Sequence, residues 1–282
     1  MISFEDTILP KQDSSQQLAY LGFQLMKPSG MLQAFVQDYW FIRNHDLPTY
    51  REEFLHPNGG LGTIFNFGDE FLMDNQPISA TSILDGTNTF SRRLNFIGDV
   101  YAVGIRFKPS GAYPFFRMPI YEIVDNPYDL TDLTMNGVQE IIEQLYHAPT
   151  MTEQAHILDQ WLLSLLHENR LVASTVHGAM GLIRQSNGQG FMSDIGDTIG
   201  LSVRQLQRQY KEQVGMSPKQ HAKILRVEYA RSAIKNLGHH PLSDVAYLAG
   251  YYDQSHFIRE FKSVVGMTPS AYQLRHQARD KT

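Results

Sequence analysis

The sequence contains no cysteine at any of its 282 positions. That absence excludes disulfide frameworks, thiolate zinc sites and cysteine nucleophiles, and it fits a reducing compartment. No stretch approaches eighteen uninterrupted apolar residues, which argues against a membrane-spanning helix. The N-terminal segment also lacks the basic start and apolar run of a secretory signal. We therefore expect a soluble, cytoplasmic protein with no membrane partner.

Short motifs of several enzyme classes are missing as well. The sequence has no Gly-x-Ser-x-Gly elbow, no phosphate-binding glycine loop and no dinucleotide fingerprint. His45 and His56 stand near carboxylates, but this region contains no His-x-His pair, and scattered surface histidines are the simpler interpretation. We predict that the protein is not an enzyme, and we predict no catalytic residue, no metal site and no cofactor.

Charge is distributed unevenly along the chain. Residues 1–177 carry 10 Lys and Arg against 21 Asp and Glu, whereas residues 178–282 carry 14 against 8. The overall net charge of −5 therefore combines an acidic N-terminal part with a basic C-terminal part. A basic end on an acidic protein suggests a polyanionic partner, although many solvated helical domains are also mildly basic.

Short aromatic and β-branched runs occupy the first 130 residues, among them YLGFQL, VQDYWFIR, GTIFNFG and DVYAVGIRF. Turn formers such as Pro28-Ser29-Gly30 separate these runs. From about Thr131 onward the apolar period becomes helical. The pattern predicts an α+β protein with a β-rich, barrel-like N-terminal domain and flanking helices. We place the two domains at residues 1–175 and 176–282.

An apolar stripe with helical spacing runs through the segment TEQAHILDQWLLSLLHEN. Ordinary core is the first interpretation of such a stripe. Because it lies just before the basic region, where a dimer seam would be useful, a second interpretation is that it joins two protomers of a homodimer. The residues of this predicted seam are Leu158, Trp161, Leu162 and Leu165.

Two stretches of the C-terminal part match each other. They are SDIGDTIGLSVRQLQRQYKEQVGMSP, which begins at Ser193, and DVAYLAGYYDQSHFIREFKSVVGMTP, which begins at Asp244. Each predicts a helix, a glycine-containing turn and a second helix, which is the helix-turn-helix arrangement. The side chains predicted to cap these helices are Ser193, Ser202, Ser243 and Asp253.

The segment between the two copies, SPKQHAKILRVEYARSAIKNL, predicts one long helix. Such a connector can hold two helix-turn-helix units about 34 Å apart, so that both enter successive major grooves of one duplex. We therefore predict an all-α C-terminal domain in which a long helix joins two helix-turn-helix units.

The outer face of each second helix carries the candidate DNA contacts. Arginine and glutamine can make bidentate hydrogen bonds to guanine and adenine edges, and lysine reaches phosphate. A solvated charged face would be the simpler interpretation of one such helix, but two aligned copies in a basic domain favour DNA binding. The predicted base-reading residues are Arg204, Gln207, Arg208, Gln254, Ser255 and Arg259, and the predicted phosphate contacts are Lys211, Lys262, Arg226 and Arg231.

These stretches resemble the AraC/XylS-type family of bacterial transcription regulators over about Ser193 to His276. The first copy departs from the family pattern at Gly196, where a small alanine usually packs, and a mid-helix glycine costs about 1 kcal/mol relative to alanine. FVQDYWFIR, PNGGLGTIFNFGD and VYAVGIRFKPSGAYPFF resemble an N-terminal domain found in a subset of that family. The second copy carries the more specific pattern, as Ala246, Gly250, Tyr251, Ser255, Phe257, Arg259, Phe261, Lys262, Gly266, Thr268, Pro269 and Tyr272.

The resemblance implies a sequence-specific regulator that binds double-stranded DNA, with a small-molecule effector bound to the N-terminal domain. It further implies a homodimer and RNA polymerase as a partner. Two alternatives stay open: an effector-independent regulator whose N-terminal domain only dimerises, and, less favoured, a small-barrel enzyme with an appended helical domain. An alkyl-acceptor DNA-repair protein with similar paired units is excluded, because it needs a reactive cysteine.

Overall fold

The computed structural model describes residues 21–133, 135–166, 171–190, 192–237 and 241–279. Tyr20, the first residue of the predicted YLGFQL strand, lies outside these ranges. No helix in the described ranges is long and apolar enough to cross a membrane.

The N-terminal part is built on one antiparallel sheet of eight strands. The strand order is β1-β2-β7-β3-β6-β8, and β4 pairs with both β5 and β7. Among the described strands the sheet does not close, so the predicted barrel-like domain is an open sheet. The strands are β1 Gln24–Met26, β2 Val36–Leu55, β3 Gly62–Asn66, β4 Phe71–Met73, β5 Gln76–Ile78, β6 Ser82–Asp85, β7 Arg92–Phe107 and β8 Pro127–Asp129.

Nine α-helices follow in the described residues after the sheet. Two flank the sheet, and the other seven form the C-terminal part, so the predicted order of a β-rich domain followed by an all-α domain is confirmed. They are α1 Val138–His147, α2 Met151–Leu165, α3 Ser174–Gln185, α4 Met192–Ile199, α5 Val203–Val214, α6 Pro218–Leu237, α7 Leu242–Leu248, α8 Gln254–Val265 and α9 Pro269–Arg279.

Both faces of the sheet bury apolar side chains, because successive residues of a strand point to opposite faces. Phe65 and Val103 belong to the core shared with α1 and α2. Ile64 and Ala102, their immediate neighbours in sequence, belong to a second cluster on the other face. This second face is the one turned toward the helical domain, since it contributes to a cavity that α6 also lines.

The apolar stripe of α2 lies inside the N-terminal core. Leu158, Trp161, Leu162 and Leu165 are all at most 7% exposed, and the rings of Trp161 and Phe65 pack edge to face with centroids 5.9 Å apart. These four side chains are already engaged within their own chain and leave no surface for a second protomer. A dimer through α2 would have to use its other side chains.

The repeated stretches form two helix-turn-helix units, α4–α5 and α7–α8. The predicted caps of the second helices are confirmed: Ser202 accepts a hydrogen bond from the Gln205 N–H in a reciprocal capping box, and Asp253 accepts one from the His256 N–H. The predicted caps of the first helices are wrong. Ser193 and Ser243 lie within α4 and α7, because each helix starts one residue earlier, and α7 follows an extended proline.

Both second helices end on a glycine in the left-handed region, at Gly215 with φ +90° and at Gly266 with φ +84°. Residues with a β-carbon are strained there. A β-carbon on Gly215 would lie 2.9 Å from Ile120 Cγ2 and 3.1 Å from Thr87 Oγ1, whereas one on Gly266 would meet nothing within 4 Å. The end of α5 therefore abuts the sheet domain, and the end of α8 is open at the equivalent position.

The sheet domain contacts the first unit through the 3₁₀ helix Ile120–Ile123, which packs against α5. Nearby, the Tyr113 hydroxyl donates to Glu212 Oε1 at 3.1 Å. At the same junction, the buried His221 of α6 packs against the backbone turn at Gly59.

The sheet domain also contacts the second unit. The N–H and the hydroxyl of Ser91 both donate to the carbonyl of Val264 near the end of α8, at 2.7 and 2.9 Å. Arg275 of α9 donates to Glu52 Oε1 of β2 at 2.8 Å. The sheet domain therefore touches the helical domain at both of its helix-turn-helix units.

Acidification is expected to weaken this junction through His221. Burial, and then the nearby Arg184, lower the pKa of His221 from 6.5 to about 4. Folding therefore favours the neutral imidazole, so its contribution is complete above pH 6.5 and is lost as the pH falls toward 4. We expect the free energy of unfolding to fall by about 2 kcal/mol between pH 7 and pH 5 from this residue.

The measurement is urea unfolding at several pH values, with the pH dependence of the His221→Gln variant subtracted from that of the wild type. The subtraction is needed because burial raises the pKa of Asp85 to about 6, which adds stability as the pH falls through the same range. Equal pH slopes in the two proteins would contradict the prediction.

Candidate nucleic-acid interface

The exposed face of α5 carries the predicted contacts of the first unit. Arg204, Gln207, Arg208 and Lys211 are all exposed, whereas Leu206 and the other inward-facing residues are buried. The helix repeats every 3.6 residues, so the exposed positions share one face and the buried positions share the opposite one. The structure thus brings these four side chains together on one surface.

The exposed face of α8 repeats the arrangement in the second unit. Gln254, Ser255, Arg259 and Lys262 are exposed, while Phe257 on the opposite side is fully buried. The long helix α6 contacts α7 and α8 of this unit and also α5 of the first. With 20 residues and a rise of 1.5 Å per residue, α6 is about 30 Å long.

Lys211 has a neighbour that sequence reasoning did not find. Its Nζ lies 5.4 Å from the ring centroid of Tyr121 in the sheet domain, and that tyrosine is 44% exposed. A cation over an aromatic face is attracted to it. The N-terminal domain thus reaches the edge of the α5 surface, which no local sequence pattern indicates.

The structure places Arg226 away from the exposed faces. Its Nη2 lies 2.9 Å from Glu260 Oε2, both side chains are 19% exposed, and its guanidinium lies 5.2 Å from the Tyr251 ring centroid. Arg226 therefore ties α6 to α8 inside the domain. The sequence analysis predicted a phosphate contact for Arg226, and only the tertiary contact reveals its pairing with Glu260.

Arg231 is also directed inward. Its Nε lies 3.4 Å from the Tyr272 hydroxyl, and the side chain lines a cavity between α6 and the sheet. Neither Arg226 nor Arg231 is presented beside the exposed faces of α5 and α8, so the interface proposed below uses neither.

Tyr252 in the turn of the second unit is 99% exposed. It stands two residues after Gly250, directly before the Asp253 cap of α8. A phenolic hydroxyl is among the groups that contact phosphate oxygens. The turn of the second copy is one residue longer than the turn of the first copy, and this insertion is the sequence feature that indicates Tyr252.

Metal binding finds no support in the described residues, which contain no group of three or more His, Asp or Glu side chains that could hold an ion.

Two family models match the chain. One is described as a helix-turn-helix domain and covers residues 195–275. This match identifies an AraC-type helix-turn-helix domain in the C-terminal part of the chain. The second model, described as a domain of unknown function (DUF6597), covers residues 24–129, so the AraC-type domain follows a separately recognised N-terminal region.

Two curated relatives are similar to part of the chain. The HTH-type transcriptional activator RhaS of Pectobacterium carotovorum subsp. carotovorum (strain PC1) is 31% identical over 84 residues, or 30% of this chain and 29% of that protein. RhaR of Yersinia pestis bv. Antiqua (strain Angola), also an HTH-type transcriptional activator, is 30% identical over 161 residues, or 52% and 55%. The chain thus spans about half or less of the length of these relatives.

Two solved structures are also similar. The C-terminal domain of AraT, a response regulator from Geobacillus stearothermophilus, is 23% identical with a TM-score of 0.35, and the match covers 37% of this chain and 87% of that one. ToxT from Vibrio cholerae is 14% identical with a TM-score of 0.42 and coverages of 89% and 98%. Both scores are too low to assign the fold.

Proposed function

We propose that the chain is a sequence-specific DNA-binding transcription regulator whose sheet domain receives a small-molecule signal. The observation that carries the proposal is the pair of exposed polar faces on α5 and α8, at equivalent positions of two helix-turn-helix units in a basic domain. The names of the curated relatives, which are transcriptional activators, support it.

In this proposal α5 and α8 are the recognition helices, each lying in a major groove. Arginine reads guanine through O6 and N7, and glutamine reads adenine through N6 and N7. Base contacts then come from Arg204, Gln207 and Arg208 in the first groove and from Gln254, Ser255 and Arg259 in the second. Lys211, Lys262 and Tyr252 contact phosphate and set the position of each helix without reading sequence.

The long helix α6 sets the spacing of the two contacts. Successive major grooves on one side of B-DNA are about 34 Å apart, close to the length of about 30 Å expected for the 20 residues of α6. One chain can therefore read two successive grooves without a symmetric partner.

The proposal extends to the remaining parts of the molecule. Residues 1–175 would act as the sensing domain and residues 176–282 as the DNA-binding domain. The regulator would act in the cytoplasm, contact RNA polymerase at its promoters and form a homodimer. Leu163 of α2, which is 41% exposed, lies on the side of that helix that a second protomer could reach.

The test of DNA binding begins with selection from a random duplex library, followed by fluorescence anisotropy on the enriched site and on scrambled duplexes. We expect the enriched site to bind at least about a thousandfold more tightly, with strong salt dependence. Failure to enrich any site, together with equal weak binding to all duplexes, would overturn the proposal.

The Lys262→Gln variant is expected to bind all duplexes more weakly by the same factor. Lys262 is exposed on the last turn of α8, and each lost phosphate contact reduces the slope of log K against log salt by about 0.9. Anisotropy titrations at four salt concentrations measure this slope. Lys108→Gln, in the sheet domain, should leave it unchanged, and a Lys262→Gln effect confined to one sequence would contradict the phosphate role.

A further inference from the structure

One short segment of the sheet domain, Thr87–Ser91, contacts both helix-turn-helix units. Thr87 lies at the end of α5, since a β-carbon on Gly215 would be 3.1 Å from Thr87 Oγ1. Ser91 lies at the end of α8, where its N–H and its hydroxyl donate to the carbonyl of Val264 at 2.7 and 2.9 Å. An extended chain spans at most about 3.6 Å per residue, so the Cα atoms of Thr87 and Ser91 are at most about 14 Å apart.

The two contacts fall at corresponding places of the repeat. Gly215 follows α5 directly and Gly266 follows α8 directly. Val264, which accepts the hydrogen bonds from Ser91, is the next-to-last residue of α8. The segment therefore lies against the same end of both helices that carry the candidate DNA contacts.

The contact with α8 supplies hydrogen bonds that this helix cannot make internally. The last four carbonyls of an α-helix have no partner within the helix, and the carbonyl of Val264 is one of them. Val264 and Ser91 are both buried, and the Ser91 Oγ lies 2.7 Å from His56 Nδ1 of the sheet domain. The end of α8 is thus completed by donors from the sheet domain.

The middle of the segment is held by the chain that follows the 3₁₀ helix Ile120–Ile123. Asp125 accepts hydrogen bonds from the N–H and from the hydroxyl of Thr89, both at 2.7 Å. Thr87 forms an isolated parallel bridge with Val124. Because the 3₁₀ helix itself packs against α5, the segment and its support belong to the same side of the junction.

Both ends of the segment are anchored in the sheet. It follows β6 and leads into β7, and β3 lies between these two strands. Arg92, the first residue of β7, donates to Asp74 Oδ2 at 2.8 Å and lies 3.4 Å from Asp85 Oδ1 at the end of β6. A loop fixed at both ends and in its middle cannot follow a movement of one helix end without losing buried hydrogen bonds, which is costly.

We infer that Thr87–Ser91 is a brace that fixes the position of α8 relative to α5 and thereby restricts the spacing of DNA half-sites that the chain accepts. The inference rests on the proposed regulator function. The long helix α6 joins the two units through their shared apolar core, and the brace adds a second connection through the sheet domain. Ser91 and Asp125 are then positioning residues, which act on recognition without touching DNA.

The expected consequence concerns operator geometry. One base pair added between two half-sites moves them apart by about 3.4 Å and rotates one relative to the other by about 35° around the duplex. Two recognition helices held by a brace cannot follow this change, whereas two helices without it can adapt. The sheet domain therefore contributes to site selection through spacing.

The test variant combines Ser91→Ala with Asp125→Gly. Ser91→Ala removes the hydroxyl that donates to Val264. Asp125 has φ +57°, which glycine adopts without strain, so Asp125→Gly removes both hydrogen bonds to Thr89 and leaves the backbone unforced. Asp125→Asn is the matched control, because asparagine keeps an acceptor oxygen and tolerates the left-handed region. Urea unfolding of each variant verifies that it is folded.

The first measurement is the distance between the two recognition helices in the free protein. The chain has no cysteine, so spin labels attach only to introduced ones, at Gln207→Cys and Ile258→Cys on the exposed faces of α5 and α8. Double electron–electron resonance should give a narrow distance distribution in the otherwise wild-type chain and in Asp125→Asn. In the Ser91→Ala/Asp125→Gly variant we expect a distribution about twofold wider, because more arrangements are populated. Equal widths would overturn the inference.

The second measurement is fluorescence anisotropy on the selected duplex and on duplexes with one base pair inserted or deleted between its half-sites. We expect the wild type and Asp125→Asn to lose at least about tenfold in affinity on the altered spacings, and the Ser91→Ala/Asp125→Gly variant to lose about threefold or less. An equal loss in all three proteins would overturn the role of the brace in spacing.

The two measurements separate this inference from the regulator proposal. A wider distance distribution in the Ser91→Ala/Asp125→Gly variant of a protein that binds no DNA specifically would remove the regulator proposal and leave the brace as the element that positions the two helices. Specific DNA binding, with distance distributions and spacing losses that do not differ among the proteins, would remove the brace and leave the regulator proposal standing.

Discussion

Replacing Arg204 and Arg208 together by alanine is expected to lower the affinity for the selected site by about 2–6 kcal/mol. Each bidentate arginine–guanine pair contributes about 1–3 kcal/mol of discrimination. Both side chains are exposed on α5, and neither has a hydrogen bond or ion pair within the described residues. The loss therefore falls on DNA recognition and leaves the fold intact.

The matched control is the double variant in which Arg204 and Arg208 are both replaced by lysine. Lysine keeps the charge but lacks the planar fork that contacts two acceptors of one base. Anisotropy on the selected and scrambled duplexes should show that the lysine variant retains non-specific affinity and salt dependence and loses sequence preference. An unchanged ratio of the two affinities in the alanine variant would contradict the role of α5 in base reading.

Removing the ring of Phe261 is expected to destabilise the helical domain by about 3–5 kcal/mol, the cost of a large-to-alanine change in a core. Phe261 of α8 is fully buried, and its ring centroid lies 5.6 Å from those of both Phe257 and Tyr272. Alanine would leave a cavity between α8 and α9, where the second unit meets the C-terminal helix.

Urea unfolding measures the loss for Phe261→Ala, and amide hydrogen exchange assigns it to a region. Exchange should accelerate in α7 and α8, while α1 and α2 stay protected. Leu274→Ala in α9 is the control, because this residue is 67% exposed and its loss should cost less than about 0.5 kcal/mol. Equal stabilities of Phe261→Ala and the wild type would show that α8 does not depend on this packing.

Features that depend on local spacing could be predicted from the sequence. The change from alternating to helical periodicity located the transition from sheet to helices. The repeat located both helix-turn-helix units, and the caps at Ser202 and Asp253 follow from short-range hydrogen bonding. The exposed faces of α5 and α8 follow from the helical period alone.

Features that depend on distant segments could not be predicted in this way. The spacing in α2 predicts that one face of the helix is buried, but packing on a sheet and packing in a dimer seam need the same pattern. The contact between the rings of Trp161 and Phe65 shows that this face packs on the sheet. The partner of Arg226 is 34 residues away in sequence. The cavity joins strands before residue 107 to α6, and no periodicity connects segments so far apart.

Gly215 and Gly266, which follow α5 and α8, are expected to respond differently to substitution. At position 266 the space around a β-carbon is empty, so asparagine, which tolerates the left-handed region, should be accepted there. At position 215 the same change would press on Ile120 and Thr87 of the sheet domain. In a saturation library, tolerance at 266 and intolerance at 215 would therefore show at which helix end the sheet domain packs directly against the terminal glycine.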